Sequence, residues 1–405
     1  MTGILFMKKA AAAWLVAGSM CAGAHAQGTV TLYGIVDAGL GYTSDQRVAQ
    51  TKGALGSPVG YRNESSYGFA SGTWSGSRWG LKGKEELGGG LAAVFQLENG
   101  FNIGTGQAGQ GGRMFGRQAW MGLSSERYGT LTMGRQYDPI VDFVGTIGAG
   151  AFLTGMGAHP GDLDNIDNQA RENNSIKYVS PKFGGLALGA LYGFGNQAGS
   201  VKNQNTWSVG GQYVNGPFSL GAAYLYATNA YGANGGAWTG SYDGTFASSI
   251  NEGFASAKSM QIVAAASTYQ IGAVTLGLSY SNTRYKSGAF STFNGTATYN
   301  SIGGTVSWQA TPELRVAAGY DFTRGSSIDG QSAPKYHQVN FASYYYLSKR
   351  TALYGLVGYQ KASGKTLDAY GNVVAATASV GDVGNGISSA GDTQTLVRIG
   401  VRHTF

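Results

Sequence analysis

Val397-Arg398-Ile399-Gly400-Val401-Arg402-His403-Thr404-Phe405 ends the chain, and its alternation decides the fold. Val397, Ile399, Val401 and Phe405 fall on one face, while Arg398, Gly400, Arg402 and Thr404 fall on the other. Side chains repeat every second residue only in a β-strand. A strand with one apolar face and one charged face suits a boundary between lipid and water. The other end repeats the pattern, with Val30, Leu32, Val36 and Leu40 set against Thr29, Thr31, Tyr33 and Asp37. Between them, Leu91 to Leu97, Leu186 to Phe194, Val274 to Tyr280, Leu314 to Phe322 and Leu353 to Tyr359 alternate in the same way. No internal segment holds a 3.6-residue period over three turns, and no run of ~18 apolar residues follows the first two dozen. The fold class is therefore all-β: a transmembrane antiparallel β-barrel of about sixteen strands. It must close, because an open sheet would leave unpaired edge amides in hydrocarbon.

The connections alternate in length. Gly88-Gly89-Gly90, Asn215-Gly216-Pro217, Ile271-Gly272 and Ser348-Lys349 are tight turns, whereas Thr43 to Ser77, Asn229 to Ser256 and Ser363 to Asp392 are long, polar and rich in Gly, Ser and Asn. Short turns at one end and long loops at the other mark outer-membrane barrels. A cylinder of sixteen strands tilted ~40° is roughly 30 Å across, too wide for side chains alone to fill.

The first residues read as an export signal spanning 1–26. Lys8 and Lys9 precede the apolar Ala10 to Gly18, and Ala24-His25-Ala26 supplies a small-x-small cleavage site, leaving 27–405 as one barrel unit. Cys21 lies within that signal and is the single cysteine, so the mature chain has neither disulfides nor thiolate metal sites. The formal charge of +7 falls by two with Lys8 and Lys9, and the remainder is scattered, which excludes a nucleic-acid stripe. Charged residues make up only 12% of the chain, about half the usual share of a soluble enzyme. Most tyrosines fall with the outward apolar face, as amphipathic rings at a water–lipid boundary do. No catalytic, metal or cofactor constellation appears. His159, His337 and His403 lack ligand spacing, and Gly104 to Gly109 matches a dinucleotide-binding spacing in a loop without a following helix. An enzyme is not expected.

Several stretches together resemble the trimeric general porins of β-proteobacteria, the Gram-negative porin type of Bordetella, Burkholderia and Comamonas relatives. They are Val30 to Asp37, Ser77 to Gly83, Glu85 to Leu91, Arg117 to Leu123, Thr132 to Gln136, Leu347 to Tyr354 and Gly400 to Phe405. The resemblance implies sixteen strands and a homotrimer in the outer membrane, in contact with its lipid and lipopolysaccharide. It also implies a third loop folded inward as a constriction. The residues 137–170 have no strand pattern and are long enough, at ~110 Å extended, to enter such a lumen and return. Their Asp162, Asp164 and Asp167 offer negative charge.

Parity points Arg78 and Lys82 inward from the second strand, and the family's basic ladder carries over to Arg78 and Arg171, with Arg117 from the fourth strand. Arg135 shares parity with the apolar Leu131 and Met133, yet sits where the fifth strand enters the loop. Clustered guanidiniums facing loop carboxylates would enrich anions at the narrowest point. The expected function is passive diffusion of small hydrophilic solutes and ions, with a modest anion preference. The alternative is a channel specific for a sugar, an amino acid or an organic anion. The terminal aromatic Phe405 resembles the sorting signal read by the barrel-assembly machinery.

Overall fold

The computed structural model describes residues 28–50, 60–228, 246–385 and 388–405. The signal expected over 1–26 lies outside the described residues.

Sixteen antiparallel strands form one closed sheet. They are β1 (Gly28–Ala49), β2 (Tyr61–Ser71 with Arg78–Gly88), β3 (Leu91–Gly100), β4 (Gln118–Ser125), β5 (Gly129–Gln136), β6 (Glu172–Val179), β7 (Leu186–Gly193) and β8 (Thr206–Asn215). The second half comprises β9 (Phe218–Thr228), β10 (Ser259–Ile271), β11 (Val274–Lys286), β12 (Thr296–Gln309), β13 (Leu314–Gly325), β14 (Lys335–Tyr346), β15 (Thr351–Ser363) and β16 (Thr393–Thr404). The two parts of β2 count as one strand because both pair with β1 in the same direction, Tyr61–Ser71 with its far half and Arg78–Gly88 with its first residues. Residues 72–77 bulge out of the sheet between them. Closure comes from β1 on β16, with Asp37 opposite Arg402 and Tyr42 opposite Val397. Each strand pairs with its sequence neighbour, so every connection is a hairpin, and short turns gather at one end and long loops at the other.

The hydrophobic pattern is inside out, as a bilayer demands. On β11, Leu276, Leu278 and Tyr280 are exposed, while Ser279, Ser281 and Thr283 are buried toward the interior. On β15, Leu353, Val357 and Tyr359 face out, and Tyr354, Leu356 and Gln360 face in. The tyrosine expectation holds only in part. Tyr285, Tyr299, Tyr336, Tyr344 and Tyr354 are buried inside, some of them packed on loop residues such as Phe254, whose ring stacks on Tyr285 at 5.2 Å.

Those interior residues are covered because long loops fold back into the barrel. The third loop leaves β5, and hydrogen bonds tie it to the inner side chains of strands across the lumen. Gln212 of β8 donates to the Phe143 carbonyl at 3.1 Å, Tyr344 of β14 to Phe152 at 2.9 Å, and Gln338 of β14 to Ala158 at 2.9 Å. The last loop lies against it, with the Gly161 amide donating to Gly381 at 2.7 Å and the Asp382 amide to Gly155 at 2.9 Å.

Candidate functional site: a basic eyelet against loop carboxylates

Arg117 and Arg78 come together because Glu98 on the inner face of β3 holds both. Arg117 Nε lies 2.7 Å from Glu98 Oε1, and Arg78 Nη1 lies 3.9 Å from the same oxygen. Tyr33 of β1 donates to Glu98 Oε2 at 2.9 Å. That bond crosses the intervening β2, where Gly80 stands between Tyr33 and Glu98 in register. A Cβ at Gly80 would sit 2.7 Å from the Tyr33 hydroxyl, so glycine keeps the bond possible. Arg117 also donates to the Tyr137 hydroxyl at 2.7 Å, and the Arg171 guanidinium lies over the Tyr137 ring at 5.3 Å. Arg171 is oriented further by the Asn168 side chain, 2.9 Å away.

Arg78 owes its position to the bulge that precedes it. Asp37 accepts from the Trp74 and Ser75 amides at 2.9 and 2.8 Å and from the Tyr354 hydroxyl at 2.7 Å. This pins residues 72–77 inward and delivers Arg78 to the wall of a cavity of ≈ 340 Å³. Arg117 and Arg171 line the same cavity, with Asp167 of the third loop and Asp382 of the last. Burial raises the Asp167 carboxyl well above the ordinary range, and the neighbouring Asp382 carboxyl raises it further. Burial likewise raises Asp382, against hydrogen bonds from Asn385 that favour its charged form. The charge facing the arginines therefore depends on pH.

The remaining expected residues lie elsewhere. Lys82 is inward but stands two pleat repeats further along β2, its ammonium 5.6 Å from the Tyr33 ring. Arg135 is buried behind the eyelet, bonding the Gly116 carbonyl at 2.7 Å and Asn173 at 2.6 Å. It escapes its outward parity through a bulge: the β5–β6 register shifts between Gly134 and Gln136, and Gly134 adopts φ 138°. Asp162 and Asp164 differ from the expectation that they face the arginines. Asp162 accepts from the Asp167 and Gln169 amides, both at 2.9 Å, and so folds the loop on itself. Asp164 lies 2.5 Å from His159 Nδ1 and also accepts from Ser281. His159 Nε2 is 3.0 Å from Ser279 and 3.8 Å from Asp321. Burial opposes the imidazolium, but the Asp164 and Asp321 carboxylates outweigh it and raise His159; burial also opposes the Asp164 charge, and His159 outweighs that and lowers it. Sequence reasoning missed Glu98, Tyr137, Asp37 and Asp382. Glu98 alone left a signal, as a lone acid on an inward face between basic strands.

A second inward cluster stands on the short-turn side, where Trp74 packs on Tyr344 at 4.4 Å. Arg402 lies over the Trp74 ring at 4.6 Å and Arg315 over Tyr344 at 4.5 Å.

A closed sheet with an apolar exterior, a polar interior and an internal loop defines a membrane channel of the outer-membrane barrel class. The match of residues 10–365 to the Gram-negative porin family model places the chain in that family. It is 31% identical over 420 positions to outer membrane porin protein 32 of Delftia acidovorans, covering 98% of this chain and 100% of that one. It is 38% identical over 241 residues to an outer membrane porin protein of Bordetella pertussis, covering 55% of this chain and 61% of that one. An anion-selective porin from Comamonas acidovorans is similar in structure, with a TM-score of 0.67 and 26% identity over 94% of this chain and 100% of that one. The protein is thus a porin of the Gram-negative outer membrane.

Proposed function

We propose that this porin is a general diffusion channel that prefers anions, and that its eyelet of Arg78, Arg117 and Arg171 supplies the preference. The observation that carries this reading is the pair of guanidiniums, Arg117 and Arg78, held on one carboxylate, Glu98, with Arg171 lining the same cavity. Three cations against one permanent anion leave a positive surplus, which low-dielectric walls focus on the passing ion. Asp167 and Asp382 oppose it to the extent that they are ionised. The anion selectivity of the similar Comamonas porin is in keeping with this reading.

A homotrimer, insertion through the barrel-assembly machinery with Phe405 as its signal, and contact with outer-membrane lipid complete the proposal. The protein acts without a catalytic step. His159, Asp164 and Ser279 are arranged like a charge relay, but all three are buried, and their bonds fasten the third loop to β11. A second reading, a channel tuned to one class of organic anion, draws on the Trp74 and Tyr344 rings carrying Arg402 and Arg315. Single-channel recording separates the two. A general pore conducts linearly with KCl; saturable block by one organic anion would replace the general reading by the specific one.

A further inference from the structure

The long loop between β9 and β10 does not stay over its own strands. Around the closed ring β9 stands halfway from β1, so the two lie on opposite walls of a cylinder roughly 30 Å across. Yet Glu252 of that loop reaches β1, where its Oε1 lies 3.3 Å from Arg47 Nη1. Arg47 is aimed by its own strand. The β1–β2 register shifts between Thr43 and Gln46, with Asp45 at φ 51°, and a bulge of this kind bends the strand that carries it. The Tyr61 ring, 4.7 Å from the guanidinium, supports it from the neighbouring strand.

The crossing segment is held along its length. Residues 248–251 are buried, and the Ile250 carbonyl accepts from Tyr299 of β12 at 3.1 Å. Phe254 stacks on Tyr285 and meets Phe293 edge-on at 5.1 Å. Gly253 lies so close to the last loop that a Cβ there would fall 2.5 Å from the Leu367 carbonyl oxygen. At the far end, Ser388 of the last loop is gripped from both sides. Its carbonyl accepts the Arg47 amide at 2.9 Å, and its hydroxyl accepts the Ser249 amide at 3.2 Å. The Arg47–Glu252 pair completes this junction, with 22% and 18% of the two side chains exposed.

The strap divides the mouth unequally. On the β11–β12 flank it rests on Phe254, Tyr285, Phe293 and Tyr299, all buried together. On the β1–β2 flank a cavity of ≈ 280 Å³ remains, lined by Thr43, Gln46, Ser66, Gly68 and Arg398 among others. It shares Ser71, Thr73 and Asn385 with the eyelet cavity, which makes it an approach to the arginines. Gln46 adjoins Arg47, so the ion pair stands on the rim of that approach. We propose that Arg47 and Glu252 form a clasp that holds the strap across the mouth and limits the size of solute admitted to the chamber outside the eyelet. A partly exposed pair shifts an equilibrium by a factor of up to about five, so the strap is releasable.

The proposal rests on the chain being a diffusion channel but not on its ion preference. The test follows the labelling of Gly68→Cys in the full-length protein by two uncharged maleimides, one small and one carrying a polyethylene glycol chain. A side chain at position 68 meets open space within 4 Å, and Cys21, the single native cysteine, belongs to the expected signal. In dilute salt, Arg47→Gln and Glu252→Gln should each speed the bulky reagent by up to about fivefold and the small one by less than about twofold. The double variant should label no faster than either single one. At ~1 M KCl, where the Debye length is ~3 Å, the parent should approach the variants. The double variant keeps the parent's net charge, so its reversal potential should match the parent's, which separates this clasp from the eyelet. If Arg47→Gln fails to insert, Glu252→Gln alone carries the comparison of the two reagents. A bulky-reagent rate unchanged in conducting variants, equal acceleration of both reagents, additive gains in the double variant, or a shifted reversal potential would each overturn the proposal.

Discussion

Replacing Glu98 by glutamine should make the pore more anion-selective, although the change touches no group that a loop-based view of the eyelet would name. Glu98 is the carboxylate held between Arg117 at 2.7 Å and Arg78 at 3.9 Å. The substitution removes one negative charge and keeps the shape and the acceptor for Tyr33. For an ion roughly 8 Å away in an effective dielectric of about 60, one unit charge is worth about 0.7 kcal/mol. The effect has opposite sign for anion and cation, so the permeability ratio would change about tenfold without screening. At ~0.1 M salt, where the Debye length is ~10 Å, screening reduces this to about threefold. At ~1 M the Debye length is ~3 Å and the effect should nearly vanish. The assay is the reversal potential in a planar bilayer under a KCl gradient, at both ionic strengths. A ratio unchanged at low salt, or shifted toward cations, in a variant that still forms stable channels would refute the electrostatic reasoning.

Three further outcomes follow from the loop contacts. Raising pH should lower the anion preference, because burial holds Asp167 and Asp382 protonated beyond the ordinary carboxylate range and they gain charge opposite the arginines above it. By the same linkage the stability of the contact between the two loops is present at acid pH and is lost as these groups ionise; reversal potentials against pH should flatten in Asp167→Asn. Asp164→Asn should release the third loop from β11, since removing one partner of a buried pair costs about 3–5 kcal/mol. Noisier open currents and closure at lower voltage would register it, and quiet currents would argue against the fastener. Arg135→Ala should lower thermal stability by about 2–4 kcal/mol, leaving buried carbonyls such as that of Gly116 unsatisfied. Its permeability ratio should stay within twofold of the parent, by roughly the small weight of a charge lying behind the pore wall.

The barrel was legible because lipid imposes a rule on every strand. An outward position must be apolar whatever its neighbours are, so alternation survives from Val30 to Phe405 without any knowledge of contacts. The inward positions obey no such rule, and there the sequence says less. Arg78 and Arg171 could be placed near a constriction by parity and resemblance, but the lone inward acid Glu98 gave no sign in the sequence of which arginines it would hold, and it holds Arg78 and Arg117. Arg135 defeated parity through a bulge that needs the backbone freedom of Gly134. The loop acids were the least readable. Asp162, Asp164 and Asp167 lie within six residues of one another, yet one turns back on its own loop, one binds His159 and one faces the pore. What separates them is packing against Ser281 and Asp382, far away in the chain, which no local pattern encodes.

The reversal potential of Arg78→Ala combined with Arg171→Ala, set against the unaltered channel in dilute KCl, bears directly on whether the arginine eyelet sets the ion preference. The double variant should lose its anion preference and move toward neutrality or cations, with conductance kept or increased as the opening widens. An unchanged anion-to-cation ratio in a folded, conducting double variant would contradict the role assigned to these arginines.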